Sequence, residues 1–279
     1  MSPVASRRSG GRSARRAMRE DRVQVGKPFL ERKLEPVEVL DEEGLKQIEA
    51  NAEIILSEIG IAFQDFPEAL DLWRAAGAEV QGELVKFPPG LCRSLVQNSA
   101  PAEFTQTARN PSRSVHIGGK STVFAPNYGS PFITDLDNGR RYATLEDFEN
   151  VVKLTYQLPY LHHSGGTVVE PVDIAVNKRH LDMVYSHLKY SDKPLMGSVT
   201  APERAVDSIE LCRLAFGGDL EDRTVLTNLI NASSPLRGTR PCWARPSVCR
   251  AQSACIISPF IWLAPCLRLP CWPRCAALA

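Results

Sequence analysis

The first clear pattern along the chain is helical, since apolar residues recur every three or four positions between residues 45 and 59. Asp41 stands at the N-cap position of this segment, and Gly60 stands where such a helix would stop. The spacing therefore predicts an amphipathic helix. A second helix is predicted from Pro67, which is tolerated at the first helical position, to Gly77.

Between residues 78 and 143 the pattern changes to short extended segments. Residues 78 to 89 alternate about Gly82 and predict a hairpin, after which a short helix carries Leu91 and Leu95. From residue 103 to residue 142, turn residues such as the Asp-Asn-Gly at 137 to 139 separate further runs. We expect these runs to form a meander of antiparallel strands.

Beyond residue 143 helices and strands alternate. Thr144 and Asp147 form an imperfect capping box at the start of a helix. After this helix the pattern predicts a strand at 161 to 170, a helix at about 181 to 188, a strand at 194 to 199, a helix from Pro202 and a strand at 224 to 231. Alternation at about thirty residues per unit indicates a parallel sheet covered by helices, either a barrel or an open sheet. The chain has no G-x-G-x-x-G or P-loop motif, which favours the barrel.

These patterns divide the chain into four parts. They are a basic disordered arm and lead-in (1–39), an α+β extension with antiparallel strands (40–143), the first half of an α/β barrel (144–236) and a tail (237–279). The predicted fold class is α/β, a partial TIM-type (β/α) barrel preceded by a mixed α+β N-terminal extension. A complete barrel takes about 250 residues, so only about half of one fits after residue 144.

Composition narrows the choice of partners. The 279 residues are 43% hydrophobic and carry a formal net charge of +1, so no polyanionic partner is expected. Arginines cluster only between residues 7 and 22, which favours a solvated arm over a transit peptide or a nucleic-acid tail. The longest uncharged run, 251 to 267, contains Pro259 and Pro265 and is too short to span a bilayer. We expect a cytoplasmic protein without nucleic-acid or membrane partners.

The tail differs in composition from the rest of the chain. Six of the eight cysteines follow Arg237, and no Asp, Glu or Lys follows Asp222. A zinc module or disulfide framework is disfavoured, because there is no C-x-x-C pair and the last histidine is His187. Out-of-frame translation of a GC-rich gene explains this composition better, so we expect the tail not to be native family sequence.

Four histidines suggest a metal site, namely His162, His163, His180 and His187. The last two are seven residues apart on the helix that carries a core stripe. A surface or second-layer role is therefore favoured over metal ligation, and no metal site is predicted.

Several segments, in order, resemble the trimethylamine methyltransferase family. They are FAPNYGSPFITDLDNGRRYATLEDFENVVKL (124 to 154), GGTVVEP (165 to 171), RHLDMVYSHLKYSDKPLMGSVT (179 to 200) and LINASSPL (229 to 236), together with GIAFQD (60 to 65) and ARNP (108 to 111). The resemblance covers most of residues 40 to 236, and in the tail only IISPF (256 to 260) shares it. It implies an α/β barrel preceded by an N-terminal extension.

The resemblance also implies a reaction. Members of this family transfer a methyl group from a tertiary or quaternary amine, trimethylamine or a betaine, to the Co(I) of a separate corrinoid protein. The methyltransferase itself would bind no corrinoid. A homo-oligomer is possible, and the sequence does not decide the oligomeric state. In one branch pyrrolysine activates the amine, whereas in others ordinary residues occupy that place. The corresponding region is the second half of the barrel, so no catalytic residue can be assigned here. We expect the shortened chain to be inactive; the alternative is a non-catalytic fragment or a quaternary-amine binding remnant.

A pocket for a bulky ammonium needs aromatic faces and a nearby carboxylate. Tyr128 and Glu170 are the leading candidates. Ser198 and Asn231 lie at or near the carboxyl ends of the next two predicted strands, where barrel active sites are built. Each has a structural alternative, since these residues can also cap a segment, bond neighbouring backbone, order a turn or pack as a loop aromatic.

Overall fold

The computed structural model describes residues 27–230, apart from 36, 99, 199–200, 219 and 221–222, together with 237–238 and 253–257. The predicted basic arm at residues 7 to 22, Asn231 and most of the tail therefore lie outside the described residues. The helices are α1 (Glu42–Ile54), α2 (Pro67–Ala75), α3 (Leu91–Gln97), α4 (Leu145–Gln157), α5 (Arg179–Tyr190) and α6 (Pro202–Phe216). The strands are β1 (Leu30–Glu31), β2 (Ile61–Phe63), β3 (Glu79–Gln81), β4 (Leu84–Lys86), β5 (Glu103–Gln106), β6 (Val115–Gly118), β7 (Ser121–Thr122), β8 (Phe132–Asp135), β9 (Gly139–Tyr142), β10 (Leu195–Met196), β11 (Leu226–Ile230), β12 (Arg237–Gly238) and β13 (Ser253–Ile257).

Helix α1 confirms the first prediction. The Asp41 carboxylate accepts a hydrogen bond from the Gly44 amide at 2.8 Å and caps the helix. A π-helical turn, Ile55–Ile59, extends the helix to Gly60. The apolar side is not buried within the described structure, because Leu45 and Ile48 are exposed and only Leu56 joins the core.

The N-terminal extension is built around aromatic side chains. The predicted hairpin forms as β3 and β4, and β2 pairs with β4 in antiparallel orientation. Trp73 of α2 packs edge-on against Phe87, with the ring centroids 4.7 Å apart, and also contacts Phe63. These rings form the centre of the first hydrophobic core. Burial of such large aromatic side chains stabilises the N-terminal extension.

The strands between residues 103 and 142 form two separate antiparallel pairs, β5–β6 and β8–β9, so the predicted single meander is wrong. Residues 123–131 lie between the two pairs and have no regular secondary structure; hydrogen bonds of Gly129 with Thr167 and of Ser130 with Glu170 join them to residues 167–170. The predicted tight turn is present, since the Asp135 carboxylate accepts bonds from the amides of Asp137 and Asn138 at 3.0 and 2.6 Å.

The C-terminal part contains a parallel sheet in the order β10-β11-β13. Leu195 is in register with Leu226, and both pack against α5 and α6 in one hydrophobic core. Residues 161 to 170 were predicted as a strand, but they contain no regular strand. Even so, the Ser164 amide donates to the Pro194 carbonyl and the Met196 amide donates to the Gly165 carbonyl, each at 2.8 Å. This segment therefore runs beside β10 in the parallel sense.

Strand β13 lies within the predicted aberrant tail. It pairs with β11 over five residues, from Leu226 with Ser253 to Ile230 with Ile257. Its last two residues belong to the IISPF segment. The out-of-frame origin of the tail stays a prediction about the gene. Within the described residues the sheet does not close into a barrel, so the barrel stays a proposal as well.

None of the helices in the described part of the chain combines the length and the apolarity needed to cross a bilayer.

Candidate functional site

The candidate site lies where the loop at residues 124–130 crosses the segment that precedes α5. The Gly129 amide donates to the Thr167 carbonyl at 2.7 Å, and the Glu170 amide donates to the Ser130 carbonyl at 2.8 Å. The Asn127 side chain adds a bond to the Val168 carbonyl at 2.9 Å. These bonds hold Tyr128 beside the carboxyl end of the segment that flanks β10.

Two glycines let the loop approach this closely. Gly165 has φ +90°, and a Cβ there would lie 2.6 Å from the Cγ of Pro126. A Cβ on Gly166 would lie 2.9 Å from Cε2 of Tyr128 and 2.9 Å from Cβ of Met196. The Tyr128 ring therefore lies directly on the Gly166 backbone, next to β10, and 41% of the residue remains exposed. A partly exposed aromatic ring at this place suits a cation.

Ser198 follows β10 and is linked to the same region. The Thr167 hydroxyl donates to the Ser198 hydroxyl at 3.0 Å. The Gly197 amide donates to the Thr227 carbonyl at 2.8 Å, so the parallel pairing with β11 continues beyond Met196. The structure thus brings the predicted residues Tyr128 and Ser198 to one place, through Gly166 and Thr167.

Thr227 belongs to this place too, although the sequence did not single it out. It is in register with Met196, and successive residues of a strand point to opposite faces. Met196, Ser198 and Thr227 therefore share the face opposite to Leu195 and Leu226, which pack on the helices. Thr227 is 0% exposed, and its hydroxyl has no hydrogen-bond partner among the described residues. The signal that could have found it is its strand parity with Ser198.

Glu170 has a cationic partner of its own. Arg179, the first residue of α5, forms an ion pair with its carboxylate and donates a second bond to the Ile174 carbonyl at 3.0 Å. This pairing closes the loop before α5. The role of Glu170 as the counter-charge of an ammonium stays a prediction. Asn231, the fourth candidate, lies outside the described residues.

Two buried histidines, His163 and His187, form hydrogen bonds with the backbone of Gly165 and Gly166. The Gly165 amide donates to Nδ1 of His163 at 2.9 Å, so Nε2 carries the proton and donates to the Gln106 side-chain oxygen at 3.1 Å. His187 bonds the Gly166 carbonyl through Nε2 at 2.8 Å, and its Nδ1 accepts from the Ser164 hydroxyl at 2.6 Å. Each ring thus fixes one glycine of the pair.

Burial keeps both rings neutral. It lowers the pKa of His163 to about 3 and that of His187 to about 4. Both rings are engaged in internal hydrogen bonds, and the predicted second-layer role fits this geometry better than a surface role. No group of three metal-binding side chains occurs in the described ranges.

Lys193 is a buried cation that the sequence did not reveal. Its ammonium donates to the carbonyls of Thr155, Leu158 and Leu161 at 2.8, 3.0 and 2.7 Å. It therefore caps the carboxyl end of α4 from the start of β10. Burial, and then the charge of Arg113, lower the pKa of Lys193 to about 8. Its contacts are structural and lie outside the candidate site.

Comparison with known proteins agrees with the resemblance seen in the sequence. Residues 8–264 match the trimethylamine methyltransferase family. The chain is similar to a glycine betaine methyltransferase of Desulfitobacterium hafniense (strain Y51), with 46% identity over 201 residues, which is 71% of this chain and 42% of that protein. It is also similar to a proline betaine:corrinoid methyltransferase of Eubacterium limosum, with 28% identity over 193 residues, 65% of this chain and 39% of that protein. The chain thus spans about two fifths of the length of these curated relatives.

Proposed function

The chain belongs to the trimethylamine methyltransferase family. In place of the inactivity expected from its length alone, we propose that it acts in methyl transfer from a quaternary amine of the betaine class to a separate corrinoid protein. The observation that carries this proposal is the 46% identity to a glycine betaine methyltransferase. The name of the second relative, a proline betaine:corrinoid methyltransferase, supports both the betaine class and the corrinoid partner.

The reaction changes the charge of the bound molecule. The bond between nitrogen and one methyl carbon breaks, the nitrogen keeps the electron pair, and a neutral tertiary amine leaves. The methyl carbon receives its new bond from the electron pair of the partner's Co(I). The binding site must therefore favour a cationic ammonium group before the transfer and release a neutral amino group after it.

The Tyr128 ring is suited to the first requirement. An aromatic face attracts a quaternary ammonium through its quadrupole and needs no formal charge at each methyl group. Because Gly166 has no side chain, the ring can lie against the backbone there. Glu170 lies four residues after Gly166, which contacts the Tyr128 ring. Its ion pair with Arg179 reduces the negative charge that it can present to a substrate ammonium.

We also propose that the parallel sheet β10-β11-β13, with residues 164–165 beside it, is the first part of a (β/α) barrel. The helices α5 and α6 pack on one face of this sheet. The proposed site then lies at the carboxyl ends of the parallel segments, which is where barrel enzymes place their active sites.

Two assays separate methyl transfer from simple binding. Calorimetric titration with glycine betaine and with trimethylamine tests for a binding site, and a saturable heat with glycine betaine is expected. Incubation with glycine betaine and a corrinoid protein reduced to Co(I) tests the reaction, and dimethylglycine is the expected product. Binding without dimethylglycine would favour the alternative, a quaternary-amine binder. If neither glycine betaine nor trimethylamine gives a saturable heat, the proposal is contradicted.

A further inference from the structure

The hydroxyl groups of Ser198 and Thr227 lie on the face of the sheet opposite to the helices, and the Thr167 hydroxyl, next to Gly166 in the chain, bonds that of Ser198. We propose that Thr167, Ser198 and Thr227 form a carboxylate subsite, which makes the protein select zwitterionic betaines over amines that lack a carboxylate. This inference rests on the proposed function and assigns the part of the substrate that lies away from the reacting nitrogen.

The first argument is the direction of the hydrogen bonds. Thr167 donates its hydroxyl proton to Ser198 at 3.0 Å. The Ser198 hydroxyl accepts in this contact, so its own proton is the free end of the chain among the described residues. A hydroxyl that already accepts one bond is polarised and becomes a better donor. The pair shares one hydrogen bond between two hydroxyl groups, so one of its two protons remains available for a ligand.

The second argument is the burial of Thr227. A buried hydroxyl without a partner is costly in free energy, and native structures keep few of them. The Thr227 hydroxyl is fully buried, and no described residue bonds it. Register places Thr227 beside Met196, on the face that carries Ser198 two residues later. A carboxylate has two oxygens that accept several bonds, so it can take protons from both hydroxyls.

The third argument is charge. A betaine carries no net charge, because its carboxylate balances its ammonium. Neutral hydroxyl donors can therefore hold the carboxylate without adding a buried cation, whose desolvation would be expensive before the substrate binds. The nearest described arginine along this segment, Arg179, already pairs with Glu170. The ring of Tyr128 lies on Gly166, and the next residue, Thr167, bonds Ser198, so the ring and the hydroxyl pair offer one place for each end of a short zwitterion.

The test compares two ligands that share the ammonium group. Glycine betaine has a carboxylate, whereas tetramethylammonium does not, and both are titrated calorimetrically into the full chain. Replacing Thr227 by Val or Ser198 by Ala removes one hydroxyl each. Either change should raise the Kd for glycine betaine about tenfold, the value of one hydrogen bond to a charged group, and leave the Kd for tetramethylammonium unchanged.

Two further variants control for folding. Thr155→Val makes the same change at a buried position in α4, outside the proposed site, and should leave both Kd values unchanged. Thr227→Ser keeps the hydroxyl and should keep the affinity for glycine betaine, which a merely structural role of the β-branched side chain would not preserve. Far-ultraviolet circular dichroism identifies any variant that has lost its fold.

The outcomes distinguish this inference from the function on which it rests. Loss of affinity for glycine betaine alone, in Thr227→Val and Ser198→Ala, supports the subsite. Equal changes for both ligands, or no change for either, would overturn the subsite and leave the methyltransferase proposal standing. If the unmodified chain binds neither ligand, the proposed function is contradicted first.

Discussion

Acidification should destabilise this protein because two buried histidines, His163 and His187, bond the backbone of Gly165 and Gly166. His163 is 4% exposed and His187 is 1% exposed. Burial lowers their pKa values to about 3 and about 4, whereas an unfolded histidine has a pKa of about 6.5. Between the folded and unfolded pKa values, the histidines of the unfolded chain bind protons and those of the folded chain do not. Mildly acidic pH therefore lowers the free energy of unfolding.

The sign and size follow from this difference. The stabilisation is complete above pH 6.5 and is lost as the pH falls toward the pKa values of the folded state. Each proton taken up on unfolding changes the free energy of unfolding by about 1.4 kcal/mol per pH unit, so two histidines give about 2.7 kcal/mol per unit. From pH 6.5 to 4.5 the loss is about 5 kcal/mol, comparable with the whole stability of a small domain at about 5 to 15 kcal/mol.

Carboxylates change the free energy of unfolding only at lower pH. Arg141, through its hydrogen bonds, holds the pKa of Asp147 well below its usual range, so Asp147 destabilises the fold only when the unfolded carboxyl becomes protonated near pH 4. The range between pH 6.5 and 4.5 therefore reports mainly on the buried histidines, which include His162, whose pKa is also lowered by burial.

Urea denaturation followed by circular dichroism at pH 7.5, 6.5, 5.5 and 4.5 measures the effect. The variant His187→Gln keeps a donor toward the Gly166 carbonyl but removes one titrating group. It should reduce the pH slope by about 1.4 kcal/mol per unit, the contribution of one titrating group. A stability that stays constant from pH 6.5 to 4.5, or an unchanged slope in His187→Gln, would refute the reasoning.

Three other substitutions test the site and its support. Tyr128→Leu should weaken quaternary-ammonium binding by about 2- to 30-fold in calorimetry while Tyr128→Phe retains it, because the ring face supplies about 0.5 to 2 kcal/mol; equal loss in both would argue against a cation–π contact. Gly166→Ala should weaken the same binding, since its Cβ would meet the Tyr128 ring and Met196 at 2.9 Å; unchanged affinity would show that the ring position is unimportant. Lys193→Met should lower the free energy of unfolding by about 3 kcal/mol or more in urea denaturation, because three buried carbonyls lose their donor; a loss below about 1 kcal/mol would contradict that capping role.

The helices could be predicted from the sequence because their signals are local. Asp41 caps α1, and the box of Thr144 and Asp147 starts α4, with each side chain bonding the other residue's backbone amide. Periodicity also predicted the order of the helices and of strands β10 and β11 after residue 143, but it added a strand at 161 to 170 that does not form. It could not say what covers an apolar face, and the exposed side of α1 shows that limit.

The predicted strand at 161 to 170 failed for a non-local reason. His162 and His163 both donate their amides to the Phe124 carbonyl, which lies almost forty residues earlier in the chain. Such contacts decide the backbone path, and nothing in the alternation of residues reports them. The missed groups, Lys193 and Thr227, have the same cause, because their partners or their burial depend on segments distant in sequence.

The site was predicted in part. Tyr128 and Ser198 came from the resemblance and from their places in the loop and after a strand, and the structure brings them together. Thr167 and Thr227 were missed because a threonine in a segment that is predicted as a strand is common and carries no signal by itself. The ion pair of Glu170 with Arg179 could not be foreseen either, since their nine-residue separation in a loop indicates no contact.

The proposed function is tested most directly by product formation. Glycine betaine is incubated with this chain and a corrinoid protein reduced to Co(I), and dimethylglycine is quantified by mass spectrometry against a reaction without the chain. The proposal predicts dimethylglycine that increases with the amount of chain and matches the loss of Co(I) absorbance. Dimethylglycine no greater than in the reaction without the chain, from a corrinoid protein that a full-length relative methylates, would contradict it.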